Sequence, residues 1–246
     1  MKTQNKIALI TGASKGIGAA TAIALAKEGC SVIINYKTDE KSANKVLTKC
    51  NIYSKDNITI KADITNEDDV KKMMLQIRKS FPSLHILINN AGIFDENDNH
   101  TNIKVFENIF RNNLLGAFMV TKYALNIMKQ GKIINISSIH GRLGYGRSTG
   151  IAYAALKAAL ENYTKNLAKK LAPKILVNAI APGRVATPMW DNPTPQEQKK
   201  LGSVHLIKRM IQPEEIADAV VFLTKNDAVC AEILTIDGGY KLADLS

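Results

Sequence analysis

The chain has 246 residues, of which 46% are apolar and 22% charged, and a formal net charge of +11. That balance fits a folded globular chain and excludes a collagenous or disordered one, and no apolar run is long enough to span a bilayer. Cys30, Cys50 and Cys230 are odd in number, far apart and form no CxxC pair, which argues against a disulfide framework or a zinc site and assigns them to packing in a reducing compartment.

Met1 to Lys6 run straight into an apolar strand, with neither the h-region nor the cleavage site of a signal peptide, so the expected location is the cytoplasm. The basic residues are scattered, without a dense arm or an aromatic-interleaved stripe. The charge therefore reads as a Lys- and Asn-rich composition and not as a nucleic-acid surface, with some basic surface left for an anionic ligand.

Taken in order, the pattern alternates. A strand at 6–10 ends in a Gly-rich turn, and a small-residue helix over 17–28 stops at Gly29. Strand 31–35 is followed by a polar helix over 39–50, then strand 58–61. Thr65-Asn66-Glu67-Asp68 supplies capping chemistry for a helix over 66–79. Strand 84–88 leads to a long helical region over 105–129 and to strand 132–136. A helix carrying Tyr153 runs to about 171, followed by strand 174–178. A long polar segment, 187–210, precedes a helix over 213–223 and a last strand near 233–236. Short apolar strands alternating with helices imply a doubly wound α/β fold: a parallel sheet of about seven strands, covered on both faces. No linker, repeat or low-complexity tract interrupts it, so the expectation is one domain, 1–246. Its ligand should lie beyond the C-terminal ends of the strands.

The residues just after the strands carry the chemistry. Thr11-Gly12-Ala13-Ser14-Lys15-Gly16-Ile17-Gly18 follows the first strand. Its glycines permit a tight turn and close backbone approach, and the next helix offers free N–H groups to a pyrophosphate. The second strand ends in Asn35-Tyr36-Lys37, with no carboxylate to accept ribose hydroxyls. Lys37 and Lys15 are placed to meet a 2′-phosphate, and two ordinary surface lysines would read the same way. The expected cofactor is NADP(H), with NAD(H) as the second option. Asp63, with Ile64 beside it, follows the third strand and suits either the adenine amino group or a helix cap. Asn89-Asn90-Ala91-Gly92 lets backbone approach the cofactor ribose, and its amides can tie strands together.

At the other end, Ser138 sits at the mouth of the fifth strand, and Asn113 lies within the long helical region. An Asn there can perturb the backbone or bind a water. Tyr153 and Lys157, four apart in Tyr-Ala-Ala-Leu-Lys, share one helix face, and an ammonium beside a phenol favours the phenolate. By itself this pair would suit many solvated helices; with Ser138 and the Gly-rich turn it describes an acid/base couple at a nicotinamide.

With these motifs, and with Pro182-Gly183-Arg184-Val185-Ala186-Thr187 and Ile236-Asp237-Gly238-Gly239, the chain resembles the short-chain dehydrogenase/reductase family over nearly its whole length. Within the NADP-preferring branch it is most like the 3-oxoacyl-[acyl-carrier-protein] reductases and the glucose-type dehydrogenases. The resemblance implies a Rossmann-type fold and a ketone reductase. Tyr153 would protonate the carbonyl oxygen, Lys157 would lower the Tyr pKa and bind ribose, Ser138 would position the carbonyl, and Asn113 would hold a relay water. Gly12, Ser14, Lys15, Gly16, Ile17 and Gly18 would line the phosphates and ribose. Asn90, Ala91 and Gly92 would approach the ribose, and Pro182, Gly183, Val185 and Thr187 would seat the carboxamide. Residues 187–210 would form a substrate lid containing Trp190. No metal is implied.

Three features depart from the family pattern. The stretch 141–151, with Arg142 and Arg147, is about two residues long for the carrier-protein reductases. Residues 228–232 lack the usual Gly before the last strand. Loop 94–101 is acidic and polar, which would disfavour anionic substrates locally. An acyl carrier protein is a candidate partner, with Lys129, Lys132, Lys169 and Lys170 as docking residues or a plain solvated face; a homotetramer is the implied assembly. The competing readings are an NAD(P)-dependent dehydrogenase of a sugar, polyol or other secondary alcohol, and a non-enzymatic cofactor sensor or scaffold.

Overall fold

The computed structural model describes residues 1–142, 149–190 and 193–242. Seven strands form one sheet, β1 Ile7–Ile10, β2 Ser31–Tyr36, β3 Ile58–Lys61, β4 Ile86–Asn89, β5 Gly131–Ile136, β6 Ile175–Pro182 and β7 Ile233–Ile236. All pairs are parallel, in the order β3-β2-β1-β4-β5-β6-β7. The order reverses between β1 and β4, which opens a crevice at their C-terminal ends.

Strand alternation builds two cores. Ala8, Ile10, Val32, Ile34, Ile86 and Ile88 face one side, where they meet Leu25, Val46 and Val220. Those three lie on α1 Gly16–Lys27, α2 Glu40–Cys50 and α8 Pro213–Lys225. The opposite face carries the register row Ile33, Leu9, Leu87, Ile133 and Val177. It packs on Val70, Met73 and Ile77 of α3 Glu67–Ser80, Val120 of α5 Gly116–Ala124 and Ala168 of α6 Ile151–Leu171. Burial on both faces explains why these strands read as continuous apolar runs.

Caps set the helix starts. Asn66 accepts from the Asp68 and Asp69 amides at α3, and Asp39 from the Ser42 amide at α2. The expected helix over 105–129 is three pieces: α4 Ile103–Phe110, a π-helical turn Arg111–Leu115, and α5, which ends at Ala124. The expected polar segment 187–210 contains α7 Pro195–Gly202, started by a capping box between Thr194 and Glu197. Cys30 and Cys50 pack in the interior, and burial pushes both thiols up to about 12; Cys230 is exposed, against the packing role expected of it. Among the described residues no helix is long and apolar enough to cross a membrane.

Candidate active site

The Gly-rich turn is held open by its neighbours. Thr11 Oγ1 accepts from the amides of Asn90 (2.9 Å) and Ala91 (3.0 Å), and it donates to Ile88 O (3.3 Å). Asn90 Nδ2 donates back to Thr11 O (2.8 Å) and Gly12 O (3.1 Å). A Cβ on Gly12 would lie 2.9 Å from Ala91 Cα, and one on Gly18 2.5 Å from Asn90 Nδ2, so only glycine fits. Thr11→Val keeps the shape and strands two amides; unfolding titrations should show a loss of about 2–4 kcal/mol. A loss below about 0.5 kcal/mol would mean that water replaces the hydroxyl.

The turn fits a dinucleotide. Lys15, at the N-cap of α1, makes no side-chain cap, so the first turn presents its amides and positive dipole end. A cleft of about 340 Å³ beside it is lined by Ser14, Gly16, Lys45, Ala186 and Pro188. A Cβ on Gly16 would meet Thr187 Cγ2 at 3.2 Å, so the turn and the 182–187 segment close on each other. Lys37 pairs with Asp63 (2.8 Å), and Asp63 also accepts from the Thr65 amide and hydroxyl. These partners hold the Asp63 carboxyl below its ordinary range despite its partial burial, and they tie it into a local turn. Ile64 is a core residue under Gly116. Asn89 is the strand tie: its Nδ2 donates to Asn135 Oδ1 across β4 and β5 (2.8 Å).

Tyr153 lies at the start of α6, with its ring T-shaped to Phe94 (5.5 Å) and His140 (6.1 Å). Lys157 Nζ stands 5.5 Å from the Tyr153 ring centroid and donates to Ile136 O (2.8 Å). Lys157 is only 4% exposed, and burial pulls its ammonium down from 10.5 to about 8. Ser138 follows β5 and accepts from the His140 amide (3.2 Å). Its hydroxyl hydrogen stays available to a substrate carbonyl. Asn113 sits in the π turn, where Oδ1 accepts from Ile93 N (2.7 Å) and Nδ2 donates to Ile93 O (2.8 Å). A Cβ on Gly92 would lie 2.8 Å from Asn113 Oδ1 and 3.7 Å from Lys157 Nζ, so Gly92, Asn113 and Lys157 converge. Such a π turn inside a helix re-aims one side chain. Behind Lys157, Ser137 Oγ lies 3.2 Å from Lys157 O and 3.1 Å from Glu161 Oε1, and Arg142 pairs with Glu161 (3.5 Å).

Two expectations need correction or completion. Lys132, named among the docking lysines, is 2% exposed, with Nζ bound to Asn226 O and Asp227 (2.8 Å each). It ties β5 to the segment after α8, because the alternation of β5 turns it inward. Lys129, Lys169 and Lys170 are exposed, but Lys169 and Lys170 end α6 about 24 Å along the helix from Tyr153, toward the N-terminal ends of the strands. Arg147 and the lid residues Asp191 and Asn192 lie outside the described residues.

The sequence reading missed two residues. Asp98, in the loop expected to be an acidic surface, is 1% exposed and bonded to the start of α6. The available signal was Gly150, which begins that helix without a local side-chain cap. His205 is fully buried at the foot of the 187–210 segment. Its Nε2 accepts from Arg184 N (3.2 Å) and its Nδ1 lies 2.6 Å from Arg209 O, so it pins both ends of that segment. Burial holds its pKa below the ordinary value, as the acceptor role of Nε2 requires.

The sequence model of a family described as enoyl-(acyl carrier protein) reductase matches residues 12–241. A 3-oxoacyl-[acyl-carrier-protein] reductase of Buchnera aphidicola is 37% identical, covering 97% of this chain and 98% of its own. One from Synechocystis is 34% identical, covering 95% and 96%. Among solved structures, a short-chain dehydrogenase/reductase from Serratia marcescens has a TM-score of 0.89 at 31% identity, covering 98% of this chain and all of its own. An aldohexose dehydrogenase from Thermoplasma acidophilum has a TM-score of 0.86 at 27% identity, covering 99% and 97%.

Proposed function

Because the chain belongs to the short-chain dehydrogenase/reductase family, NAD(P)-dependent oxidoreductases acting on CH–OH and C=O groups, we propose that it is an NADPH-dependent ketone reductase. The observation that carries this reading is the buried Lys157 ammonium beside the Tyr153 ring, with Ser138 and Asn113 at the same strand ends as the Gly-rich turn. The nicotinamide, when bound, supplies the hydride. Ser138 donates a hydrogen bond to the carbonyl oxygen and holds it toward Tyr153. The Tyr153 phenol gives its proton to that oxygen as negative charge develops, and Lys157 stabilises the phenolate left behind. Asn113, held on the Ile93 backbone, fixes a relay water; a proton from it passes through Lys157 to the phenolate and restores the Tyr153 phenol.

The substrate class follows from the relatives' names: a 3-oxoacyl thioester, with an acyl carrier protein as its carrier. Steady-state turnover of an acetoacetyl thioester with NADPH tests this, beside a crotonyl thioester and an alcohol panel. Turnover of neither ketone nor alcohol above a Tyr153→Phe control overturns the reading. The Thermoplasma neighbour and the acidic loop beside Phe94 favour a neutral sugar as the second substrate class, which the alcohol panel detects.

NADPH preference rests on Lys37 and Lys15 and on the absence of an acid at the end of β2. Lys37 already neutralises Asp63, so its charge has two tasks. Lys37→Ala should raise the NADPH KM by roughly tenfold or more and leave the NADH KM within about threefold. Equal effects on both cofactors would remove Lys37 from the 2′-phosphate site.

The reading also keeps the whole chain as one nucleotide-binding domain with residues 187–210 as its lid. Support comes from the Val185–Ile211 bridge and His205, which fix the two ends of that segment. Exposed Phe106, Phe110 and Phe118 on and near α4 and α5 support self-association, with a homotetramer as the proposed state and the cytoplasm as the proposed location.

A further inference from the structure

The acidic loop after β4 does not face solvent throughout. Asp95 Oδ1 accepts from Asn97 N (2.9 Å), and the Asp98 amide donates to Asp95 O (3.1 Å). This tight turn swings Asp98 inward to the start of α6. There Asp98 O accepts from Gly150 N (2.9 Å), Oδ1 from Ala152 N (2.9 Å) and Oδ2 from Tyr153 N (2.8 Å).

Gly150, in the left-handed region at φ 73°, provides no side-chain cap, so the free amides of α6 are satisfied by a residue more than fifty positions away. A carboxylate at this end also complements the helix dipole. The same loop supplies Phe94, which stands edge-on to the Tyr153 ring and lies 3.2 Å from where a Gly150 Cβ would be. One loop therefore holds both the backbone and the ring of Tyr153.

We propose that Asp98 is a positioning residue for the reaction: its carboxylate fixes the first turn of α6, and through it the direction of the Tyr153 phenol. The inference deepens the reading of Tyr153 as general acid and rests on it. Asp98 touches neither reacting atoms nor the Gly-rich turn, so its loss should act on kcat and spare cofactor binding. Loss of a surface acid would leave kcat unchanged as well.

The test compares Asp98→Ala, Asp98→Asn and, as a charge control on the same loop, Glu96→Gln. Asp98→Ala should lower kcat at least tenfold and leave the NADPH KM within about twofold. Asp98→Asn keeps one acceptor oxygen and should recover part of that loss, and it remains informative if Asp98→Ala folds poorly. Glu96→Gln should match the parent. In the cofactor-free protein, exchange of the Ala152 and Tyr153 amides should speed up at least tenfold in Asp98→Ala, while Leu160 in the middle of α6 keeps its protection. Parental kcat or unchanged amide exchange in Asp98→Ala overturns the inference, as does equal loss in Glu96→Gln. Tyr153→Phe separates the two readings. If Tyr153→Phe is inactive and Asp98→Ala keeps the parental kcat, only the Asp98 role fails; if Tyr153→Phe retains turnover, the general-acid reading fails.

Discussion

Tyr153→Phe is expected to turn over ~10²–10⁴-fold more slowly than the parent chain while keeping its fold and its cofactor affinity. The size follows from removing the one group proposed to protonate the carbonyl oxygen. Retention of fold follows from the packing. The ring contacts with Phe94 and His140, and the Asp98 bond to the Tyr153 amide, all survive in phenylalanine. Single-turnover hydride transfer, followed by nicotinamide absorbance, isolates the chemical step from product release. A loss below about tenfold would show that another group or water delivers the proton.

Lys157→Met is expected to abolish turnover and to make the cofactor-free protein more stable at neutral pH. The drop in Lys157 from 10.5 to about 8 reflects burial of its ammonium, a penalty of about 3 kcal/mol. Methionine fills similar volume without that penalty, and it gives up the bond to Ile136 O and the cation's contact with the Tyr153 ring. The net gain should be about 1–3 kcal/mol, or roughly 2–12 °C in Tm for a chain of this size.

The pH dependence has a fixed sign. Below about pH 8 the lysine is charged in both folded and unfolded chains, and the whole penalty is present. Between about 8 and 10.5 the folded chain releases the proton while the unfolded chain keeps it, so the penalty fades as pH rises. The stability advantage of Lys157→Met should therefore be largest at pH 7 and shrink toward pH 10. A variant no more stable than the parent at pH 7 would mean that the ammonium is well solvated in place. A site that spends stability on a buried cation is what a phenolate-stabilising lysine requires.

Much of this architecture is legible along the chain. The strands are short apolar runs, because the five inner ones are buried on both faces, and every strand expected from the sequence is present in the sheet. Gly12 and Gly18 mark places where a Cβ would strike Ala91 or Asn90, a constraint that appears locally as glycine. The four-residue spacing of Tyr153 and Lys157 is a helix-face statement, and α6 begins at Ile151 to honour it. The π turn at Arg111–Leu115 was legible only as an Asn able to perturb the backbone; that Asn113 is anchored on Ile93 across the site was not. The α7 helix was hidden by the polarity of its surface positions, which leaves no apolar stripe to read.

The sequence by itself determined the sheet, the glycine turns and the residues that meet at the strand ends, because periodicity, backbone freedom and helix spacing are local properties. Only the tertiary structure decided what each charge does. Lys132 is a buried tie and not a docking residue, Lys37 pairs with Asp63, and Asp98 caps a helix from another part of the chain. A charge takes its role from the partner and the solvent around it in space. That partner lies beyond the reach of a sequence window, as Asp98 and Tyr153 show at the start of α6.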